Sequence, residues 1–175
     1  STAIAASETY HNLPSDANND YIANHIVIQG TGTQYTGITD LGERCFITGL
    51  SAGLMRDGGS GQVRIGSDST DGCDDPSNAR GNTIYNVQFQ GGGNDMYCFR
   101  NTAYIQRSRF QDVAFMQAGG DLEACFYAAN ISGSIFEAVV SVSVSHKLHI
   151  VDSVTPGIGS IFASRSCSRA NPDLP

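Results

Sequence analysis

The chain has 175 residues, enough for one domain with a core of its own, and 17 acidic against 10 basic side chains give it a formal net charge of −7. That balance excludes a nucleic-acid-binding surface, which needs clustered cations, and no apolar run is long enough to cross a bilayer as a helix. Charged residues are only 15% and glycine is 20 of 175, a mixture that suits stacked strands and tight turns better than solvated helices.

The opening STAIAASETYHNLPSD lacks the basic start and apolar centre of a signal peptide. Residues 1–23 are expected to form an N-terminal cap. Residues 24–163 carry the repetitive body, and 164–175 an exit segment. Inside the body, residues 55–81 are rich in Gly, Asp and Ser. They are expected to be a loop excursion with one brief strand at Gln62–Ile65, of the length that often carries function. Asp68, Asp71, Asp74 and Asp75 in that stretch lack the spacing of a calcium loop. No metal and no cofactor is expected, since no CxxC pair, P-loop, G-x-S-x-G or HExxH is present.

Beyond the loop come TIYNVQFQ (83–90), AYIQRSRFQ (103–111), VVSVSVS (139–145) and KLHIVDSV (147–154). These runs are β-branched or aromatic, alternate with polar residues and are bounded by Gly and Asn, which predicts short strands. A phrase recurs among them. Cys98-Phe99 leads to Ile105, Ser108 and Phe110, and Cys125-Phe126 leads to Ile131, Ser134 and Phe136. Cys45 and Cys73 extend the cysteine series upstream. Ile84, Val87 and Phe89 read as a looser copy, and Ile150 with Ser153 as a fainter one without its Phe.

A repeat of this length without helical periodicity predicts an all-β solenoid, a right-handed parallel β-helix with coils of about 20–28 residues. A β-sandwich or jelly roll is the alternative. In a β-helix identical side chains stack about 4.8 Å apart in neighbouring coils. Cys98 should then lie under Cys125, Ile105 under Ile131 and Phe110 under Phe136. The cysteines read as small buried hydrophobes, with disulfides between neighbouring coils as the competing outcome.

The candidate chemistry sits in two sets. Asp95 and Asp121, each following a glycine turn, occupy the same place in adjacent repeats and are joined by Glu123. Two carboxyls about 5 Å apart suit a retaining glycosidase, and Asp after glycine also serves simply to cap a turn. Gln90, Gln111, Asp112 and Glu137 follow the ladder Phe on outer positions, with Arg100, Arg107 and Arg109 around them and Tyr97 nearby. Such a row could bind sugar hydroxyls or acidic groups, or be the solvated face of a sheet. There is no Trp to stack on sugar rings, and Tyr85, Tyr97, Tyr104 and Tyr127 are the available substitutes.

The coils IQRSRFQDV (105–113) and ISGSIFEAV (131–139) resemble those of the pectin-lyase-like right-handed β-helix superfamily. The Asn/Ser/Gly-rich, lysine-poor style is most similar to bacteriophage tailspikes and related polysaccharide depolymerases. The resemblance covers residues 82–155 well and 24–66 loosely, and it is one of coil style, without a catalytic motif. It implies a homotrimer, on a virion tail or outside the cell, that binds bacterial capsule or O-antigen. Endoglycosidase or lyase activity often accompanies such binding. A non-catalytic stalk or adhesin, or a secreted polysaccharide lyase or hydrolase, is the alternative.

Overall fold

The recurring phrase sets the strand pairing. The computed structural model describes residue 6 and residues 24–30, 34–50, 63–67, 69–92, 97–119, 124–137, 140–142, 148–150 and 161–163. In it Ile105 pairs with Ile131, and Phe110 with Phe136, across parallel strands.

The chain runs in passes. The first holds β1 (Asn24–Gln29) and β2 (Gln34–Tyr35), and the second holds β3 (Cys45–Leu50), β4 (Arg64–Ile65), β5 (Cys73–Asp75) and β6 (Asn78–Arg80). The third has β7 (Thr83–Tyr85), β8 (Gln88–Gly92), β9 (Tyr97–Asn101) and β10 (Tyr104–Gln106). The fourth has β11 (Arg109–Gln111), β12 (Ala114–Gly119), β13 (Ala124–Ala128) and β14 (Ile131–Ser132). Then come β15 (Ile135–Glu137), β16 (Val140–Val142), β17 (Leu148–Ile150) and β18 (Ile161–Ala163).

Successive passes visit the same sheets in the same order. Sheet A is β1-β3-β7-β11-β15-β18, sheet B is β2-β4-β8-β12-β16, sheet C is β5-β9-β13-β17 and sheet D is β6-β10-β14. The strand ladders are parallel, as in β11 with β15, β12 with β8, β13 with β9 and β10 with β14. The fold is therefore all-β and built of parallel sheets. A jelly roll, whose sheets are antiparallel, does not have this pairing.

All four sheets send side chains into a shared core, by simple alternation in sheets A and D, whereas consecutive residues are buried on β8 and β9. Sheet A contributes Ile47, Ile84, Phe110 and Phe136; sheet B Ile65, Phe89 and Phe115; sheet C Cys98, Phe99, Cys125 and Phe126; and sheet D Ala79, Ile105 and Ile131. The phenylalanines stack along the ladders. Phe110 and Phe136 have centroids 4.7 Å apart at 4°, and Phe99 and Phe126 are 5.2 Å apart at 11°. Across sheets the rings meet edge to face, as Phe99 does Phe110 at 87°. Each such aromatic pair adds ~0.5–1.5 kcal/mol to the burial of its area.

The D-to-A corners and the A-to-B corners after β7, β11 and β15 are two residues long, and left-handed residues turn the chain at both kinds of corner. Between D and A the turn residues are Arg44 (φ 56), Gly81 (φ 68), Arg107 (φ 48) and Gly133 (φ 57), and between A and B they are Asn86 (φ 56) and Asp112 (φ 52). The residue after each D-to-A turn points inward and carries a polar ladder. The Cys45 N–H donates to Asn82 Oδ1 at 2.8 Å, the Asn82 N–H to Ser108 Oγ at 3.2 Å, and the Ser108 N–H to Ser134 Oγ at 3.1 Å. A backbone group that would be orphaned inside a corner is thus satisfied by the next pass.

Several expectations change in register. Residues 55–81, expected as a loop excursion with one strand, hold β5 and β6 as well as β4. The cysteine series is split: Cys73, Cys98 and Cys125 lie in sheet C, whereas Cys45 opens β3 in sheet A. The copy of the phrase before Ile105 is Ala79, Asn82 and Ile84, because Ala79 pairs with Ile105 and Ile84 with Phe110. The copy after it closes on Phe162, which pairs with Phe136, while Ile150 pairs with Ala128 in sheet C.

Candidate functional site

The outer face of sheet D follows from its inward residues. With Ala79, Ile105 and Ile131 buried, alternation turns Asn78 and Arg80 on β6, and Tyr104 and Gln106 on β10, to the outside. Asn78 pairs with Tyr104 and Arg80 with Gln106, so these side chains stand in two rows at strand spacing, about 4.8 Å. Glu43 joins them through its bridge to Arg80. Together they line a groove of about 220 Å³ formed by Glu43, Asn78, Ala79, Arg80, Tyr104 and Gln106.

The groove combines a guanidinium, two carboxamides and a carboxylate with one aromatic ring. Its formal charges cancel, and it offers donors and acceptors in quantity beside a face for stacking. That set suits a neutral polyhydroxylated chain better than a phosphate or an apolar ligand.

A second polar and aromatic cluster covers sheet C next door. Tyr97 and Tyr127 meet at 5.6 Å, and the Arg100 guanidinium lies 5.0 Å from the Tyr97 centroid. Arg100 also reaches Asp74 at 3.6 Å, and Asp71 Oδ1 accepts the Tyr97 N–H at 2.6 Å. Partial burial pushes the Asp71 carboxyl above its usual range, and the bond from Tyr97 pulls against it. Tyr97 is thus fixed at both its backbone and its ring. Close backbone packing helps: a Cβ on Gly72 would fall 2.4 Å from the Cys98 carbonyl oxygen, and one on Gly91 2.4 Å from that of Tyr97.

The residues expected from sequence to bind substrate are divided between places. Gln111 and Glu137 are register partners on sheet A, and Arg109 Nη2 reaches Glu137 Oε2 at 2.5 Å. With both side chains nearly half exposed (46% and 44%), the pair is worth ~0.2–1 kcal/mol. Arg107 and Asp112 sit at two different corners, where each is the left-handed turn residue. Tyr97 belongs to the sheet C cluster. Asp95, Asp121 and Glu123 lie outside the described residues. In the chain they fall on the B-to-C connection, Asp95 between β8 and β9 and the other two between β12 and β13.

Asp74 and Asp75, adjacent in the acidic stretch, face opposite ways. Asp75 is fully buried, with Oδ1 accepting the Ser77 N–H at 2.8 Å and Oδ2 the Asn101 side-chain amide at 3.2 Å. Among the described residues no group of three or more His, Cys, Asp or Glu could hold a metal ion. The groove residues Glu43, Asn78, Arg80 and Gln106 carry no motif in the sequence. Their only signal is register, as the positions flanking Ala79 and Ile105.

Compared with family models, curated proteins and solved structures, the chain matches none.

Proposed function

We propose that the chain is a right-handed parallel β-helix of the tailspike type that binds bacterial surface polysaccharide along its outer sheets. The constant order of sheets A to D around one core supports the solenoid. The observation that carries the binding function is the groove on sheet D, with Tyr104 and Arg80 amid amides and a carboxylate at strand spacing. Rows repeating at that spacing can follow an extended polymer. The balanced charge of the groove favours a neutral stretch of glycan. In this proposal the protein is a homotrimer, on a virion tail or outside the cell. The exposed side chains Val27, Leu50, Tyr85 and Ile135, all on the outer face of sheet A, support a contact between copies there. Any cleavage falls to Asp95, Asp121 and Glu123.

The test is retention of capsular and O-antigen polysaccharides by the purified protein. Tyr104→Ala and Arg80→Ala should each weaken retention by about tenfold, the equivalent of one good contact. Arg109→Ala, on sheet A, should leave it unchanged. A wild-type protein that retains no glycan would mean a spacer without a binding role. If reducing ends are released, Asp95→Asn and Asp121→Asn should each abolish release. Full activity in both variants would remove these aspartates from the chemistry.

A further inference from the structure

Two buried thiols face each other across neighbouring passes. Cys98 on β9 and Cys125 on β13 are both fully buried, and their sulfurs are 3.6 Å apart. The strands that carry them are parallel and in register, Tyr97 with Ala124 and Phe99 with Phe126 on either side. Strand spacing of about 4.8 Å falls inside the Cα separation that a disulfide spans, ~4.4–6.8 Å. The other two described cysteines face different groups. Cys73 pairs in register with Phe99, and the Cys45 sulfur, in sheet A, donates to the Glu43 carbonyl at 3.7 Å.

We propose that Cys98 and Cys125 are a crosslinking pair, oxidised by a small-molecule disulfide while β9 and β13 come together, which ties the third pass to the fourth. In the first step one cysteine thiolate attacks the reagent R–S–S–R, whose S–S bond breaks, giving protein–S–S–R and RS⁻. In the second, the other thiolate attacks the protein sulfur of that mixed disulfide. The Sγ–Sγ bond forms and a second RS⁻ leaves. The two thiol protons end on the two RS⁻ as RSH, so the cysteines lose two electrons and the reagent gains them.

Timing follows from burial. In the finished fold no reagent reaches either sulfur, and burial, with the Cys125 sulfur beside it, holds the Cys98 thiol protonated far above the usual thiol range. The crosslink therefore forms during folding or not at all.

The experiment refolds the full chain from denaturant in oxidised glutathione, blocks remaining thiols with a maleimide under denaturing conditions and maps the tryptic digest. The expected result is one peptide pair joined through Cys98 and Cys125, with a protein mass lower by about 2 Da before blocking. The folded, reduced chain placed in the same oxidant should give no such pair. Cys98→Ser and Cys125→Ser should each lose the joined peptide, and because the wild-type map stands alone, failure of a variant to fold leaves the test intact. The proposal is overturned if refolded wild-type protein carries the maleimide on both residues. It is equally overturned if either is joined to a different cysteine.

Discussion

The Ser134 hydroxyl accepts the backbone N–H of Ser108, its counterpart one pass earlier, and then donates to the Ser132 carbonyl at 3.2 Å. Both serines are buried, Ser134 completely. Ser134→Ala should strand the Ser108 N–H in the interior and cost ~1–3 kcal/mol. A urea midpoint for the variant equal to wild type would show that water reaches this corner.

Arg107 turns the chain at a left-handed φ of 48, where Gly133 and Gly81 stand in the neighbouring passes. A side chain there costs ~1–2 kcal/mol, and glycine gives back part of that through unfolded-state entropy, ~0.4–1 kcal/mol. Arg107→Gly should therefore be neutral to stabilising by up to ~1 kcal/mol, and Gly133→Ala destabilising by a similar amount. The same Arg107→Gly protein also tests whether Arg107 binds substrate. Undiminished glycan retention would leave Arg107 a corner residue alone.

Phe126 packs against Phe99, Phe110, Phe115 and Phe136 at centroid distances of 5.2, 6.3, 5.1 and 5.4 Å. Removing this ring takes a contact from three sheets at once. Phe126→Ala should lose ~3–5 kcal/mol, while Phe126→Leu, which keeps most of the volume, should lose less. Chemical denaturation of both variants measures the difference.

Burial raises the Asp75 carboxyl above its ordinary 3.8, against the opposing bonds from the Ser77 and Leu41 N–H groups and the Asn101 amide. The native state then holds that proton at pH values where the unfolded chain has released it. Across this window the native state binds more protons, so stability falls as pH rises; Asp71 contributes in the same direction. Asp75→Asn removes the Asp75 contribution and sets an NH₂ group against one of the donors, at ~1–3 kcal/mol. The stability gap between wild type and this variant should narrow as the pH rises above about 4. A gap that widens over that range would mean that the fold favours the ionised Asp75 instead.

The sequence made the later passes readable because equal side chains are stacked on each other. Cys98 with Cys125, Ile105 with Ile131 and Phe110 with Phe136 are expected as neighbours, and all three pairs are found. The earlier pass is hidden by substitutions that keep the physics and change the letters. Ala79 replaces Ile, Ile84 replaces Phe, and Asn82 replaces Ser while its side-chain oxygen still accepts the N–H below. The cysteine spacing misleads because Cys45 shares a letter with the sheet C ladder but lies on β3 in sheet A. On the outer faces nothing compels repetition, so Asn78 beside Tyr104 and Arg80 beside Gln106 leave no periodic mark.

The corners set where this chain can change length. From β6 to β7, β10 to β11 and β14 to β15 the D-to-A link is two residues, and so are the A-to-B links after β7, β11 and β15. An insertion at any of them would slide every ladder beyond it. The B-to-C link is already four residues after β8 and after β12, and seven after β4. Foreign segments, whether recognition loops acquired by recombination or peptides grafted by design, should be accepted there, as in the thirteen-residue link between β3 and β4, and rejected at the two-residue corners.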